Sequence, residues 1–301
     1  MIYGDLMFEF RQIKLSDKNW IDKALKESDF RGCEYSFANN LAWCRLSDTK
    51  ISRYKDFYLS ASFDDSFFNL TFPAGKGDYQ DLFNKMTDYA NSIDKRFKLN
   101  SVNKDMLKIL TNIYGEDKLI VIPNRDSYDY IYNTSDLINL KGKKYHGKRN
   151  HIKRFKDNDW KFVSIDESKI NECFEFSATS FNDSNKYDEH SAVVEQYAIN
   201  TFLTNFKELN LCGGVLYQND KMVGFTIGEK LNSDTFVVHI EKALGDINGA
   251  YPCLCNEFAK SYASTCLYIN REEDLGIEGL RKSKSSYYPA FMYEKNTVIF
   301  K

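Results

Sequence analysis

The sequence predicts an α+β protein in which one layered fold occurs twice. Three observations support this prediction. The order of predicted elements recurs in both halves: helices, a strand meander, a glycine-bearing turn into a helix, then strand, helix and strand. The composition, 43% hydrophobic and 28% charged, can bury sizeable cores. The length of 301 residues suggests about two domains. We therefore predict a domain at 1–140, a basic bridging helix at 141–158 and a domain at 159–301.

The first domain is predicted from alternating and helical patterns of apolar residues. Asp17 is a plausible N-cap for its first helix, and Asp64-Asp65 are expected to form a hairpin turn. The segment 33–43 is rich in tyrosine and phenylalanine and receives no assignment. The predicted elements are helices at 17–29, 78–92 and 103–114 and strands at 56–63, 66–72, 97–99, 118–122 and 128–133.

The second domain repeats this order of elements. Asp274 is a plausible N-cap of its last helix, and Pro289 follows the expected end of that helix. The predicted elements are helices at 168–181, 195–209, 250–263 and 275–288 and strands at 211–217, 222–229, 235–241, 266–269 and 291–300.

Composition excludes several classes of protein. The net charge of -2 means that any contact with nucleic acid or anionic lipid requires a local basic patch. The seven cysteines are odd in number and lack zinc-finger spacing, so we expect reduced thiols and no metal. The N-terminus does not resemble a signal peptide, and no apolar run approaches the ~18 residues of a membrane span. We expect a cytoplasmic protein with no transmembrane segment.

The segment Lys141–Lys156 is the most basic part of the chain, with eight Lys or Arg and two His in sixteen residues. Wound as a helix, it places three apolar residues in one stripe and a polar face beside that stripe. Clustered cations repel one another unless an anion lies between them, so we predict anion binding by that face. The alternative is a solvated helix balanced by acidic neighbours. The stripe is Tyr145, Ile152 and Phe155, and the face is His146, Arg149, Asn150 and Lys153.

The strand 235–243 ends in ionisable residues. His239 and Glu241 are two positions apart, so on a regular strand they face the same side of the sheet. A carboxylate beside an imidazole could deprotonate an amine or hydroxyl nucleophile. The alternative is a buried hydrogen bond between the histidine and the glutamate.

Two turns are candidate parts of the same site. Gly245–Gly249 precedes a helix and could present backbone N–H groups to a pyrophosphate, although Asp246 opposes an anion there. The corresponding turn of the first domain, Gly75-Lys76-Gly77, lacks the spacing of a phosphate-binding P-loop.

The second candidate turn is the polar run Asn270–Asp274. It follows the strand 266–269, and sheets often carry sites at the ends of their strands. The alternative for this run is a solvated turn with internal salt bridges.

Four separated motifs resemble bacterial proteins similar to the C-terminal domain of phosphatidylglycerol lysyltransferase. They are Lys143–Ile152, Phe225–Glu229, His239–Ala243 and Asn270–Ile277, the last continuing through Tyr287. The resemblance implies tandem GNAT-like domains, the fold of acyl-CoA N-acyltransferases. The lysyltransferases themselves use an aminoacyl-tRNA donor and a membrane-lipid acceptor.

We therefore expect an acyltransferase or aminoacyltransferase whose site lies in the second domain. The donor is acyl-CoA or aminoacyl-tRNA, and the acceptor is a small or lipid-like amine or hydroxyl compound; the oligomeric state is not predicted. The alternative is a non-catalytic module that binds an anionic ligand. The predicted catalytic residues are Glu241, His239 and Asp274. The predicted donor-binding residues are Gly245, Asn248, Gly249, Lys242, Arg271 and Lys282. The predicted anion- or substrate-binding residues are His146, Arg149, Asn150, Lys153, Asn270, Glu272 and Tyr287.

Overall fold

The computed structural model describes residues 8–182 and 189–301, and the side chains of these residues outside 180–182 and 189–191. The chain forms two compact units, each with its own mixed sheet flanked by helices. One unit comprises the residues up to Tyr128 together with Tyr293–Lys301, and the other is Asp129–Met292. These bounds differ from the predicted divisions at 140 and 158.

The first unit contains a six-stranded sheet in the order β1-β2-β3-β4-β13-β5. Only β3 and β4 are parallel neighbours, so the sheet is mostly antiparallel. Its helices are α1 (Lys18–Ser28), α2 (Phe37–Trp43), α3 (Tyr79–Ser92) and α4 (Lys104–Tyr114). Its strands are β1 (Lys50–Tyr54), β2 (Phe57–Phe63), β3 (Phe67–Thr71), β4 (Arg96–Val102), β5 (Leu119–Pro123) and β13 (Asn296–Phe300).

Local hydrogen bonds explain where the first-unit helices begin. The Asp78 side chain accepts the Asp81 N–H and caps α3, as its sequence pattern favours. The Ser36 side chain caps α2 in the same way. This helix was not predicted, because the aromatic segment 33–43 received no assignment from its sequence. Asp17 does not cap α1, because its carboxylate is held by Arg11 and by the Lys14 N–H.

The second unit contains a seven-stranded sheet in the order β12-β6-β11-β10-β9-β8-β7, in which β10 and β11 are parallel. Its helices are α5 (Thr134–Asn139), α6 (His146–Lys156), α7 (Glu167–Asn182), α8 (Glu189–Thr204), α9 (Ala250–Tyr262) and α10 (Glu278–Ser285). Its strands are β6 (Asp129–Asn133), β7 (Trp160–Ser164), β8 (Cys212–Gln218), β9 (Lys221–Lys230), β10 (Thr235–Ala243), β11 (Tyr268–Asn270) and β12 (Phe291–Tyr293).

Strand pairing explains why the predicted domain bounds were wrong. β6 was assigned to the first domain, yet it pairs with β11 in the second sheet. The predicted final strand 291–300 is two strands, of which β12 joins the second sheet and β13 pairs with β4 and β5 in the first. The first unit therefore takes its last strand from the end of the chain, whereas the second unit is the continuous segment Asp129–Met292.

The basic helix α6 is part of the second unit and packs on α9. Tyr145, Ile152 and Phe155 are buried together with Leu254 of α9, which confirms the predicted apolar stripe. Fully burying a phenylalanine side chain stabilises a fold by about 1.5–3 kcal/mol, so this stripe anchors α6 and fixes which residues it presents to solvent.

Within the described residues, no helix combines the length and the apolar character needed to span a membrane. All seven cysteines are free thiols, and six of them are buried.

Candidate functional site

A β-bulge in β10 determines how the candidate site is arranged. The pairing with β9 slips by one residue between Val238 and Ile240, which leaves His239 as the extra residue. Glu241 lines a small cavity against α9 together with Val238. The His239 ring instead stacks on Phe202 of α8, with ring centroids 5.1 Å apart. The prediction that His239 and Glu241 face the same side of the sheet is therefore wrong, because the bulge changes the alternation.

The His239 ring is a buried cation, and each of its two nitrogens hydrogen-bonds to a carboxylate. Its Nδ1 lies 2.9 Å from Oε1 of Glu272, and its Nε2 lies 3.1 Å from Oε1 of Glu229. Burial alone lowers the histidine pKa, but the two carboxylates outweigh it and raise the pKa of His239 to about 9. With both ring nitrogens occupied, His239 has no free lone pair to accept a proton from a substrate. The geometry is that of a buried hydrogen-bonded histidine, with Glu229 and Glu272 rather than Glu241 as its partners.

The stability of the protein is expected to fall as pH rises from about 6.5 to 9. The pKa of His239 is raised above its ordinary value of 6.5, so its stabilisation is complete below pH 6.5 and is lost as pH passes about 9. At about 1.4 kcal/mol per pH unit, this interval corresponds to a loss of roughly 3 kcal/mol in the free energy of unfolding. Thermal melts across this pH range should show a fall in Tm for the wild type and for the control H146Q, which alters an exposed histidine. The Tm of H239Q should change less with pH. Parallel profiles for the wild type and H239Q would contradict the assignment.

Glu241 and Arg271 form an ion pair on the opposite face of the sheet. Nη2 of Arg271 donates to Oε1 of Glu241 at 2.7 Å, and the side chains are only 9% and 12% exposed. The second carboxylate oxygen, Oε2, has no protein partner within the described part of the chain. Nη1 of Arg271 is buried and likewise lacks a hydrogen-bond partner among the described residues. The pair therefore retains one open acceptor and one open donor.

The turn Asn270–Gly276 holds Arg271 and Glu272 in place. The Asn270 side chain accepts the Glu272 N–H at 2.7 Å and donates to Asp129 at 2.9 Å. Nζ of Lys284 donates to the carbonyl of Arg271 at 2.7 Å and to that of Glu273. Glu272 has a φ of +57°, a left-handed conformation that non-glycine residues rarely adopt and that clusters at functional sites. Asn270 and Glu272 were predicted to orient substrate, and their observed contacts position the turn.

Asp274 is a structural centre of the same turn. Its carboxylate accepts two hydrogen bonds from Arg281, at 3.0 and 2.9 Å, one from the Tyr130 hydroxyl at 2.7 Å and one from the Gly276 N–H at 2.9 Å. Burial opposes the charged form, yet these donors hold the pKa of Asp274 well below its usual range. A fully engaged carboxylate of this kind does not suit the predicted catalytic role.

The predicted helix 275–288 begins only at Glu278. Leu275 and Gly276 have left-handed φ values of +52° and +74°, which a right-handed helix excludes. Asp274 therefore lies in the turn ahead of α10 and does not occupy its N-cap position, which Ile277 fills.

The predicted donor-binding cations do not converge. Lys242 bonds to Glu195 of α8 at 2.9 Å and so points away from the α9 face that Glu241 occupies. Lys282 is exposed on α10 and has no polar partner among the described residues. Of the three predicted cations, only Arg271 contacts Glu241.

The turn before α9 is poorly equipped to hold a pyrophosphate. Oδ1 of Asn248 lies 2.6 Å from Nδ1 of His151, so α6 covers this turn. Gly249 has a φ of +88°, and a Cβ there would lie 2.3 Å from the backbone oxygen of His151. The Ala250 N–H is bonded to the Ile247 carbonyl, and Pro252 has no N–H to offer. No described residue comes within 4 Å of where a Cβ of Gly245 would lie, so this end of the turn is open.

The predicted polar face of α6 is exposed. His146, Arg149, Asn150 and Lys153 all lie at the surface. Asn150 bonds to His146 at 3.0 Å, and Arg149 donates to the carbonyls of Gly142, at 2.7 Å, and Leu140. Lys153 has no polar partner within the described part of the chain, so at least one cation of this face is open to a ligand.

Sequence reasoning missed Lys148. Its Nζ donates to Oγ of Ser286 at 2.8 Å and lies 3.8 Å from the centroid of the Tyr287 ring. Helical spacing could have found it, because Lys148 is three residues after Tyr145 and four before Ile152, in the buried stripe. Glu229 was also missed as a site residue, because its position opposite Val237 and diagonal to His239 depends on the register of β9 against β10.

The comparisons identify relatives over most of the chain. The family model described as "Phosphatidylglycerol lysyltransferase, C-terminal" matches residues 25–298. A conserved protein of unknown function from Bacteroides thetaiotaomicron has a structure 37% identical in sequence, with a TM-score of 0.91, covering 98% of this chain and 100% of that one. L-PGS from Bacillus licheniformis is 13% identical with a TM-score of 0.66, covering 93% and 91% of the two chains.

Two further proteins are similar to this chain. FemX is 9% identical with a TM-score of 0.63, covering 97% of each chain, and shares the fold alone. An uncharacterized protein of Mycoplasmoides gallisepticum is 25% identical over 184 residues, which are 60% of this chain and 58% of that protein. The chain thus spans less than two thirds of the length of that relative. Together these likenesses confirm the predicted α+β fold of two tandem GNAT-like units.

Proposed function

The chain belongs to the phosphatidylglycerol lysyltransferase C-terminal family, and on that premise we propose that its second unit transfers an acyl or aminoacyl group to an amine or hydroxyl acceptor. The observation that carries this proposal is the buried Glu241–Arg271 pair beside the bulge of β10, with one open acceptor and one open donor. An acyl transfer needs a base for the nucleophile and a donor for the developing oxyanion.

The transfer divides these tasks between the two side chains. Oε2 of Glu241 accepts the proton of the acceptor O–H or N–H while that atom bonds to the carbonyl carbon of the donor. Nη1 of Arg271 donates to the carbonyl oxygen as it gains negative charge. The bond from the carbonyl carbon to the leaving oxygen or sulfur then breaks, and the leaving group takes up the proton from Glu241. His239 acts at a distance by fixing Glu272 and the turn that carries Arg271.

The α6–α9 region favours aminoacyl-tRNA over acyl-CoA as the donor. A pyrophosphate needs several free N–H groups at a helix N-terminus. Here Pro252 removes one such group, the Ala250 N–H is already bonded, and the His151 carbonyl packs against Gly249. The exposed cations of α6 are suited to the phosphates of a nucleic acid. We therefore propose aminoacyl-tRNA as the donor and a cytoplasmic protein, with a small or lipid-like acceptor.

Binding of tRNA is expected to weaken steeply with salt and to depend on α6. Each phosphate contact that is removed should lower the slope of log K against log [salt] by about 0.7–1. K153A should reduce the slope by about that amount, whereas K108A, which alters an exposed lysine of α4, should leave it unchanged. Fluorescence titrations of labelled tRNA between 50 and 200 mM salt measure the slope. Equal slopes for the wild type and K153A would exclude the α6 face as the phosphate contact.

A non-catalytic module that binds an anionic ligand is the second candidate. The observation that favours it is the absence of imidazole assistance, because His239 lies on the face opposite Glu241 with both ring nitrogens bonded. Binding of charged tRNA without consumption of its aminoacyl ester would support this second candidate.

A further inference from the structure

Two cations from different elements lie against one tyrosine ring in the second unit. The Arg271 guanidinium carbon is 4.7 Å from the centroid of the Tyr287 ring, and Nζ of Lys148 is 3.8 Å from the same centroid. Arg271 comes from the turn after β11, Lys148 from α6 and Tyr287 from the end of α10. Three separately positioned elements therefore bring two positive charges within a few ångström of one ring.

The surrounding groups do not balance these charges. Glu241 is the carboxylate that bonds to Arg271. Burial raises the pKa of Cys255 to about 12 and raises the pKa values of Tyr132 and Tyr287 well above their usual range, so all three are neutral at pH 7. Glu241 is the carboxylate that acts on both cations, whereas the neighbouring Lys284 faces Glu272 and Glu273. Burial, and then Arg271, lower the pKa of Lys148, as expected for an ammonium group short of countercharge.

The same cluster contains an unused donor. The Arg271 side chain is only 9% exposed, and its buried Nη1 has no hydrogen-bond partner among the described residues. Arg271 and Glu241 also form the charged part of the otherwise apolar cavity wall between the sheet and α9. A buried guanidinium N–H normally finds an acceptor, so this end of the cavity is suited to an incoming oxygen.

We propose that Arg271 and Lys148, which both lie against the Tyr287 ring, bind one oxyanion of the substrate, a phosphate ester or a carboxylate. An oxyanion adds negative charge and accepts one of the two N–H groups of Arg271 Nη1, which leaves the other N–H for the carbonyl oxygen of the donor. Bound there, it holds its parent molecule beside Glu241, where the nucleophile is deprotonated. The identity of the parent molecule rests on the proposed transfer, whereas the binding itself does not.

Thermal melts with simple probes test the site without any turnover. Inorganic phosphate, glycerol 3-phosphate and acetate are added to the full chain at constant ionic strength, with chloride as the reference. A probe at ten times its Kd should raise Tm by roughly 3 °C or more. The wild type, K148R and the control K108M, which alters an exposed lysine of α4 outside the second unit, should all respond. The probe should raise the Tm of K148M, compared with K148M without probe, by less than a third of the shift seen in the wild type.

The probes distinguish a phosphate ester from a carboxylate, and the variants separate the oxyanion site from the proposed transfer. A response to the two phosphate probes identifies a phosphate ester, and a response to acetate alone identifies a carboxylate. No shift of the wild type with any probe, or an undiminished shift in K148M, overturns the oxyanion site. A positive binding result together with failed transfer would leave the site standing and reject the transfer.

Discussion

Replacing Glu241 with glutamine is expected to slow group transfer by about 100-fold or more, the usual contribution of a general base. The amide keeps the size of the side chain and can still accept the hydrogen bond from Arg271, but it cannot take up the proton of the nucleophile. The rate is measured under single-turnover conditions with a labelled aminoacyl donor. E278Q, which alters an exposed glutamate of α10, is the matched control and should retain the wild-type rate.

Loss of fold must be separated from loss of chemistry in E241Q, because Arg271 then remains buried beside a neutral amide. The Tm of each variant is therefore measured alongside its rate. A folded E241Q protein that transfers within about threefold of the wild type would remove Glu241 as the base. Deprotonation of the nucleophile would then have to be assigned to another group.

Replacing Asp274 with alanine is expected to lower the free energy of unfolding of the second unit by about 3 kcal/mol or more. Its carboxylate is fully buried and receives hydrogen bonds from Arg281, Tyr130 and Gly276. Arg281 is 39% exposed and can be solvated, but the Tyr130 hydroxyl and the Gly276 N–H lose a charged acceptor, and a hydrogen bond to a charged group contributes about 1.5–3 kcal/mol. The turn that carries Arg271 should loosen at the same time, since Asp274 anchors its far end.

Urea unfolding measures the cost of D274A, with D274N as the variant that keeps the shape but not the charge. E278A alters an exposed carboxylate four residues along the chain and should change stability by less than about 0.5 kcal/mol. A D274A protein as stable as E278A would show that Asp274 does not hold the turn, and its predicted catalytic role would then regain support.

The regular elements could be predicted because their physical signals are local. The stripe of Tyr145, Ile152 and Phe155 fixed the buried side of α6, and the continuous, largely apolar runs of β8 to β10 defined the centre of the second sheet. Strand partners are a different matter, because β6 and β13 are assigned by pairing with segments more than 100 residues away. No local pattern specifies such pairing, so the domain bounds were wrong.

The candidate site shows the same limit at the scale of single residues. A regular strand places His239 and Glu241 on one side, and nothing in 235–243 signals the bulge that separates them. The polar turn after β11 was predicted as a candidate part of the same site as the end of β10, and the two do lie together, since Arg271 reaches Glu241 and Glu272 reaches His239. Glu229, which bonds to His239, comes from β9, and Lys148, which lies against Tyr287, comes from α6, so only the folded chain brings them to the site.

The most direct test of the proposed function is to follow the aminoacyl ester of charged tRNA. The wild-type protein is incubated with a pool of tRNA carrying labelled amino acids, together with a cell extract that supplies acceptors, and the label is followed into products other than tRNA. We predict that label leaves the tRNA at least about 100 times faster with the wild type than with E241Q, and that labelled acyl-CoA gives no product. Equal transfer by the wild type and E241Q, or transfer from acyl-CoA alone, would contradict the account.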